Sequence, residues 1–210
     1  MFKHKMTKSE ILIRGHYLYH LYFWLYGIVY DLRILGKITN KTIVNKFYDA
    51  YPSQNMSYYY LRELIDEIKV KKEDVVVDVG CAWGRLLGYL ERKTETKKLI
   101  GVEINHDIAE QAKSFFKGTE RVEIREGNIL DALPEDGTVF ILFNPFGRET
   151  LRKMVELIEE KVDHAVRIIY IHPTEERVFY GRDRWEMKKS GTLRPRHMGE
   201  LRYIEYELII

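Results

Sequence analysis

Four short stretches hold residue types able to do chemistry together. The first, Asp78-Val79-Gly80-Cys81-Ala82-Trp83-Gly84, follows a β-branched run and joins a carboxylate to two glycines. Gly80 and Gly84 let the backbone turn sharply and approach a ligand, and a helix starting there presents free N–H groups. This is not a G-x-G-x-x-G dinucleotide loop, which disfavours a nicotinamide dehydrogenase, and no G-K-[ST] closes it as a Walker A loop. The second is Glu103, 25 residues beyond Asp78, whose side chain can accept hydrogen bonds from both hydroxyls of a ribose. In the third, Glu126-Gly127-Asn128-Ile129, an amide sits beside an apolar neighbour, suited to bonding and packing an adenine ring. The fourth is Phe143-Asn144-Pro145-Phe146-Gly147. A polar side chain and a proline directly after an apolar run are odd for plain structure, because a buried Asn144 needs a hydrogen-bonding partner. No metal-ligand cluster or His/Asp pair accompanies these stretches, so no metal is expected. Cys81 has no evident base nearby and reads as a small packing residue. His172-Pro173 reads as a turn.

The elements that must position these stretches are legible in the hydrophobic pattern. Ser57 caps a helix carrying Leu61, Leu64, Ile65 and Ile68 at i, i+3, i+4, i+7. Asp74–Val79 is a short run without a helical stripe, as in a strand buried on both faces of a parallel sheet. A turn over Gly80–Gly84 then enters a helix with Leu86, Leu87 and Leu90. Lys98–Ile104 is a second strand, followed by an Asn105 cap, a stripe from Ile108 to Phe116 and a Gly118 stop. Val122–Arg125, Thr138–Phe143 and Ala165–Ile171 are three further strands, with a helix over Leu151, Met154, Val155 and Ile158 before the last. Trp185–Lys188 and Arg202–Ile209 close the chain as an antiparallel hairpin. The expectation is an α/β fold: a doubly wound, mostly parallel seven-stranded sheet with an antiparallel C-terminal hairpin. In such a sheet ligands bind at the carboxyl ends of the strands, where all four stretches fall.

Composition bounds the remaining possibilities. The chain has 210 residues, enough for one domain with a core, and a formal net charge of +2, without the basic excess of a dedicated nucleic-acid binder. One cysteine excludes an internal disulfide and a multi-cysteine zinc site, which points to a reducing compartment, the cytoplasm by default. Lys3, Lys5 and Lys8 precede an apolar run, but no A-x-A-like site follows it, so export is not expected. Residues 1–60 hold eight Lys/Arg against three Asp/Glu and 10 of the 15 tyrosines. Within them, residues 11–30 form an apolar helix that Arg14, His16 and His20 make a poor membrane span. Leu18, Leu21, Tyr22, Leu25, Ile28 and Leu32 form one stripe; Tyr19, Phe23, Tyr26 and Tyr30 form another. Such a helix packs on the body of the protein or on a second subunit, with peripheral membrane attachment as the alternative. The basic run Arg182, Arg184, Lys188, Lys189, Arg194, Arg196 and Arg202 reads as a solvated face.

The four stretches, in this order, resemble the Rossmann-like class of S-adenosylmethionine-dependent methyltransferases. The D-x-G-x-G-x-G loop of that class is matched by Asp78, Gly80, Ala82 and Gly84, and its acidic second-strand end by Glu103. Asn144-Pro145-Phe146 is similar to the N-P-P-[YF] of amino-group methyltransferases. Tyr30-Asp31, Thr39, Tyr51-Pro52-Ser53, the stretch from Asp78 to Leu86 and Leu142–Gly147 resemble a bacterial family with distant likeness to non-SET histone lysine methyltransferases. Ala82 departs from the usual glycine, which implies a loop slightly farther from the cofactor. The resemblance implies S-adenosyl-L-methionine as cofactor. Asp78 would face the methionine amino group, and Gly80, Cys81, Ala82 and Gly84 would line its methionine and ribose part. Glu103 would take the ribose hydroxyls, Ile104 and Ile129 sandwich the adenine, and Asn128 read its amino group. Asn144, also near the cofactor, and the carbonyl of Pro145 would accept from a substrate amine, with Phe146 on the substrate plane. The acceptor is left open among protein, small molecule, lipid head group and nucleic acid. A non-catalytic scaffold on the same fold, docking through its aromatic segment, is the alternative. The expected division is a helical extension over 1–56, serving as lid, docking or dimer element with Tyr51-Pro52-Ser53 as its hinge, and a cofactor-binding domain over 57–210.

Overall fold

A computed structural model describes the backbone of residues 8–39, 49–53, 55–195 and 198–210, with side chains from residue 21 onward. Five short apolar runs become the parallel centre of one sheet: β1 (Val75–Val79), β2 (Lys98–Glu103), β3 (Val122–Glu126), β4 (Val139–Phe143) and β5 (Arg167–Ile171). β1 is buried at every position, which explains its unbroken Val-rich sequence. The spatial order is β3-β2-β1-β4-β5-β7-β6, with β6 (Trp185–Leu193) and β7 (Leu201–Leu208) antiparallel at one edge. The order reverses between β1 and β4, and their carboxyl ends open a crevice there.

The expected architecture is present, with shifted boundaries. β6 runs five residues past Lys188, because β7 supplies a ladder as far as Leu193 across a bulge between Met187 and Lys189. Most of its middle faces solvent on the sheet edge, so no apolar alternation marks it. Helices α2 (Tyr58–Ile68), α3 (Arg85–Lys93), α4 (His106–Phe115) and α5 (Arg148–Lys161) flank the sheet. Ser57 and Asn105 cap as expected, accepting from Tyr59 N–H and Ile108 N–H. The irregular piece after Pro173 contains a short 3-10 helix, Glu176–Phe179.

Helix α1 (Lys8–Ile34) lies on this body through its aromatic stripe. Tyr26 stacks on Tyr59 at 4.2 Å between ring centroids, and Phe23 meets the same ring at 4.9 Å. The aliphatic stripe faces outward, with Leu21, Tyr22, Leu25 and Leu32 about half exposed. The side chains of Leu18 and Tyr19 lie outside the described residues, as does Arg196 of the basic run. At its carboxyl end α1 is anchored by Asp31, which is wholly buried. Asp31 accepts from Arg85 Nε (2.9 Å) and Nη2 (2.8 Å), Tyr58 Oη (2.8 Å), Thr39 Oγ1 (2.8 Å) and Thr39 N–H (2.9 Å). Arg85 opens α3, so this cluster ties the extension to the turn after β1 across residue 56. Among the described residues no helix is long and apolar enough to cross a membrane.

Candidate functional site

The strand ends enclose a cavity of about 270 Å³. Gly80, Glu103, Ile104, Asn128, Ile129, Asn144, Pro145 and Phe146, eight of the residues expected from the sequence, line it together. Gly80 holds φ at +76°, and a Cβ placed there would lie 2.8 Å from Pro145 Cβ, so a side chain at this turn meets the β4 loop before it meets any ligand. Asp78 and Cys81 line a smaller adjoining cavity of about 30 Å³ that shares Gly80 and Phe143 with the larger one and includes Arg85.

Two loop residues sit differently from expectation. Ala82 lines neither cavity; its backbone is left-handed at φ 47°, the conformation that favours glycine, and its N–H is donated to Glu103 Oε2 at 2.9 Å. The loop is therefore tied down onto β2. Gly84 also lines neither cavity: at φ +79°, a Cβ there would lie 2.5 Å from the Phe116 ring, so this glycine admits the turn into α3 beneath Phe116.

Two carboxylates are buried at the strand ends in contrasting settings. Glu103 is buried and accepts from Ala82 N–H and Asn105 N–H, each at 2.9 Å. Burial raises its pKa, opposed by backbone N–H bonds from Asn105, Ala82 and Ile104. Asp78 is only 7% exposed, and its side chain has no hydrogen-bond partner among the described residues. Burial, with the Glu103 charge beside it, pushes its pKa up to about 8. Burial and the same two carboxylates push the Cys81 thiol well up, which keeps it protonated and agrees with a packing role.

At the far wall Asn144 adopts a left-handed backbone at φ 43°. Its Oδ1 accepts from Tyr170 Oη and Thr174 Oγ1, both at 2.9 Å. The Pro145 carbonyl accepts the Tyr51 N–H at 3.0 Å. The two acceptors expected to meet a substrate amine are thus already engaged within the protein.

The cavity is closed by residues expected only as a hinge or not expected at all. Ala50 bridges Phe146, and Asp49 accepts from Gly147 N–H and Thr150 N–H at the start of α5, a helix with no side-chain cap of its own. Ala50, Tyr51, Pro52 and Ser53 therefore form a wall of the cavity, with Thr150 and the exposed His172 on its rim. No local signal marks Asp49 as the cap of a helix about a hundred residues away.

Residues 76–164, from β1 into the loop after α5, match the family model described as "Methyltransferase domain". The seven-stranded order with its closing antiparallel hairpin is a Rossmann-like α/β fold. A protein-lysine N-methyltransferase of Saccharolobus islandicus is 28% identical over 110 residues, 51% of this chain and 65% of that protein. An uncharacterized RNA methyltransferase of Oceanobacillus iheyensis is 26% identical over 114 residues, 53% of this chain and 24% of that protein. The chain thus spans less than two thirds of the length of these curated relatives. Among solved structures, an RNA methyltransferase from Salinibacter ruber in complex with S-adenosyl-L-homocysteine shares the fold. Its TM-score is 0.60 at 18% identity, over 74% of this chain and 94% of that one. A protein of the NADB-Rossmann superfamily from Streptococcus agalactiae scores 0.58 at 14% identity, over 75% and 70%.

Proposed function

We propose that the protein transfers the methyl group of S-adenosylmethionine to a nitrogen nucleophile at the Asn144 end of the cavity. The observation that carries this reading is Asp78: a buried carboxylate whose side chain has no partner among the described residues, beside the Gly80 turn, is a place for a cation such as the methionine ammonium. The rest of the site fits the same molecule. Glu103 keeps acceptor capacity for a ribose hydroxyl beyond its backbone bonds, because a carboxylate has about four acceptor sites. Ile104 and Ile129 flank the space for a flat ring, and Asn128 lies on the same wall, its Oδ1 accepting from Leu130 N–H at 3.0 Å. When bound, S-adenosylmethionine supplies a sulfonium methyl whose C–S bond breaks, its electron pair going to sulfur, as the new N–C bond forms.

The chain's own part is positional. A donor that is already activated needs an in-line nucleophile more than acid–base power, and no His/Asp pair is among the described residues lining the cavity. Phe146 and Pro145 form the wall against which the nucleophile is held, Tyr51–Ser53 exclude water from one side, and the proton lost by nitrogen passes to solvent at the rim. The lysine N-methyltransferase relative supports nitrogen as the atom methylated. The bond from Ala82 N–H to Glu103 supports an ordered cofactor loop over a non-catalytic scaffold. Equilibrium dialysis with S-adenosylhomocysteine tests the cofactor half: wild type binds, and Glu103→Ala binds at least about 10-fold more weakly while its melting curve stays cooperative. Equal binding by both removes Glu103 from the cofactor site.

A further inference from the structure

The outward face of α1 is left uncovered by the described residues. The opposite face is packed: Phe23 and Tyr26 lie against the Tyr59 ring, and the bonds from Arg85 to Asp31 clamp the carboxyl end of the helix to α3. A helix that is apolar on both sides is one that is covered on both sides. Exposed on this helix stand Leu21, Tyr22, Trp24, Leu25, Val29 and Leu32, each at 46–58%. Leu21, Leu25, Ile28 and Leu32 follow one another at steps of four, three and four residues, the spacing with which two helices interlock side chains along a seam. In the sequence the same alternation runs back to Leu18. Between Leu21 and Leu32 the one charged residue is Asp31, which is buried.

We infer that this face binds a second copy of the same chain, the two α1 helices pairing across a two-fold axis with the Leu21–Leu32 row of one against that of the other. A row that is apolar along its whole length is complementary to itself, as a two-fold contact needs. The area agrees: the six exposed side chains offer on the order of 500 Å² per copy, so two such faces approach the roughly 1,200 Å² at which specific protein interfaces begin. Their composition agrees as well, with aromatic and aliphatic side chains in the middle of the patch and charge kept out of it. A lipid surface is the poorer fit. A helix lying in a membrane interface sets Lys and Arg beside its apolar face, and here no Lys or Arg falls between Leu21 and Leu32. The anchoring of α1 through Asp31 makes the support rigid, so little order has to be gained on pairing.

Sedimentation velocity of the full chain, from about 1 to about 100 μM, tests this. Wild type reaches twice the single-chain mass of 25.1 kDa within that range. Leu25→Glu together with Leu32→Glu puts two charges into the seam and weakens the association by at least about 100-fold, returning the chain to its single mass. Both positions are about half exposed and point away from the body, so the double variant keeps a cooperative melting curve. A second measurement needs no substitution: the melting temperature of wild type rises with chain concentration, as it does for a protein that melts from a dimer. Wild type that stays at 25.1 kDa at the highest concentration overturns the inference, and so does a dimer that survives the double variant. Wild type that is a single chain in solution yet floats with vesicles of phosphatidylcholine and phosphatidylserine gives the face to lipid and overturns it as well.

Discussion

Two buried carboxylates lie on either side of the turn between β1 and α3, and they are treated in opposite ways. Asp31, at the end of α1, receives five donors, two of them from a guanidinium. The Asp78 side chain, at the end of β1, receives none from the described residues. A saturated charge is complete without a ligand and holds structure together. An unsatisfied one stores a cost that a cationic ligand can relieve. The contrast separates the region that builds this site from the region that works in it, although both carboxylates lie near the same Arg85.

The largest effect is expected from breaking the saturated side. Arg85→Ala leaves Asp31 as an uncompensated buried charge and costs about 3–5 kcal/mol in denaturant unfolding; a loss under 1 kcal/mol would place the cluster among ornamental ion pairs. Next comes the pH dependence of the unsatisfied side. Between the ordinary carboxylate value of 3.8 and about 8, folded Asp78 holds a proton that the unfolded chain has released. Unfolding there releases a proton, so rising pH favours unfolding, and Asp78 costs stability of order 1 kcal/mol per pH unit across that window. Asp78→Asn therefore flattens the fall in melting temperature from pH 5 to pH 8, and it also weakens S-adenosylhomocysteine binding. A variant whose stability profile overlays wild type contradicts the contrast. The smallest effect is that of one donor among five: Tyr58→Phe removes its bond to Asp31 and costs about 1 kcal/mol by the same unfolding measurement.

The sequence made the fold readable wherever an element is decided by its own residues. β1 is a run of Val because both its faces are buried, Asn105 caps α4 from the adjoining position, and Gly80 turns because nothing else fits φ +76° beside Pro145. It was silent where the deciding partner is far along the chain. Asp31 meets Arg85 from 54 positions away, Asn144 meets Tyr170 from 26, and nothing local reports which face of an amide is occupied. For the same reason the expected substrate acceptors, Asn144 Oδ1 and the Pro145 carbonyl, proved to be engaged by Tyr170, Thr174 and Tyr51. The two stripes of α1 were both visible, but only the Tyr59 ring decides that the aromatic one turns inward.

The most direct test of the unsatisfied-carboxylate account is titration calorimetry of the full chain with S-adenosylhomocysteine at pH 7 in two buffers of different ionisation enthalpy, phosphate and Tris. Pairing a protonated Asp78 with the ligand ammonium drives its proton off, so binding releases close to one proton, and Asp78→Asn abolishes that release. Binding with no proton released in either buffer, or no binding at millimolar ligand, contradicts it.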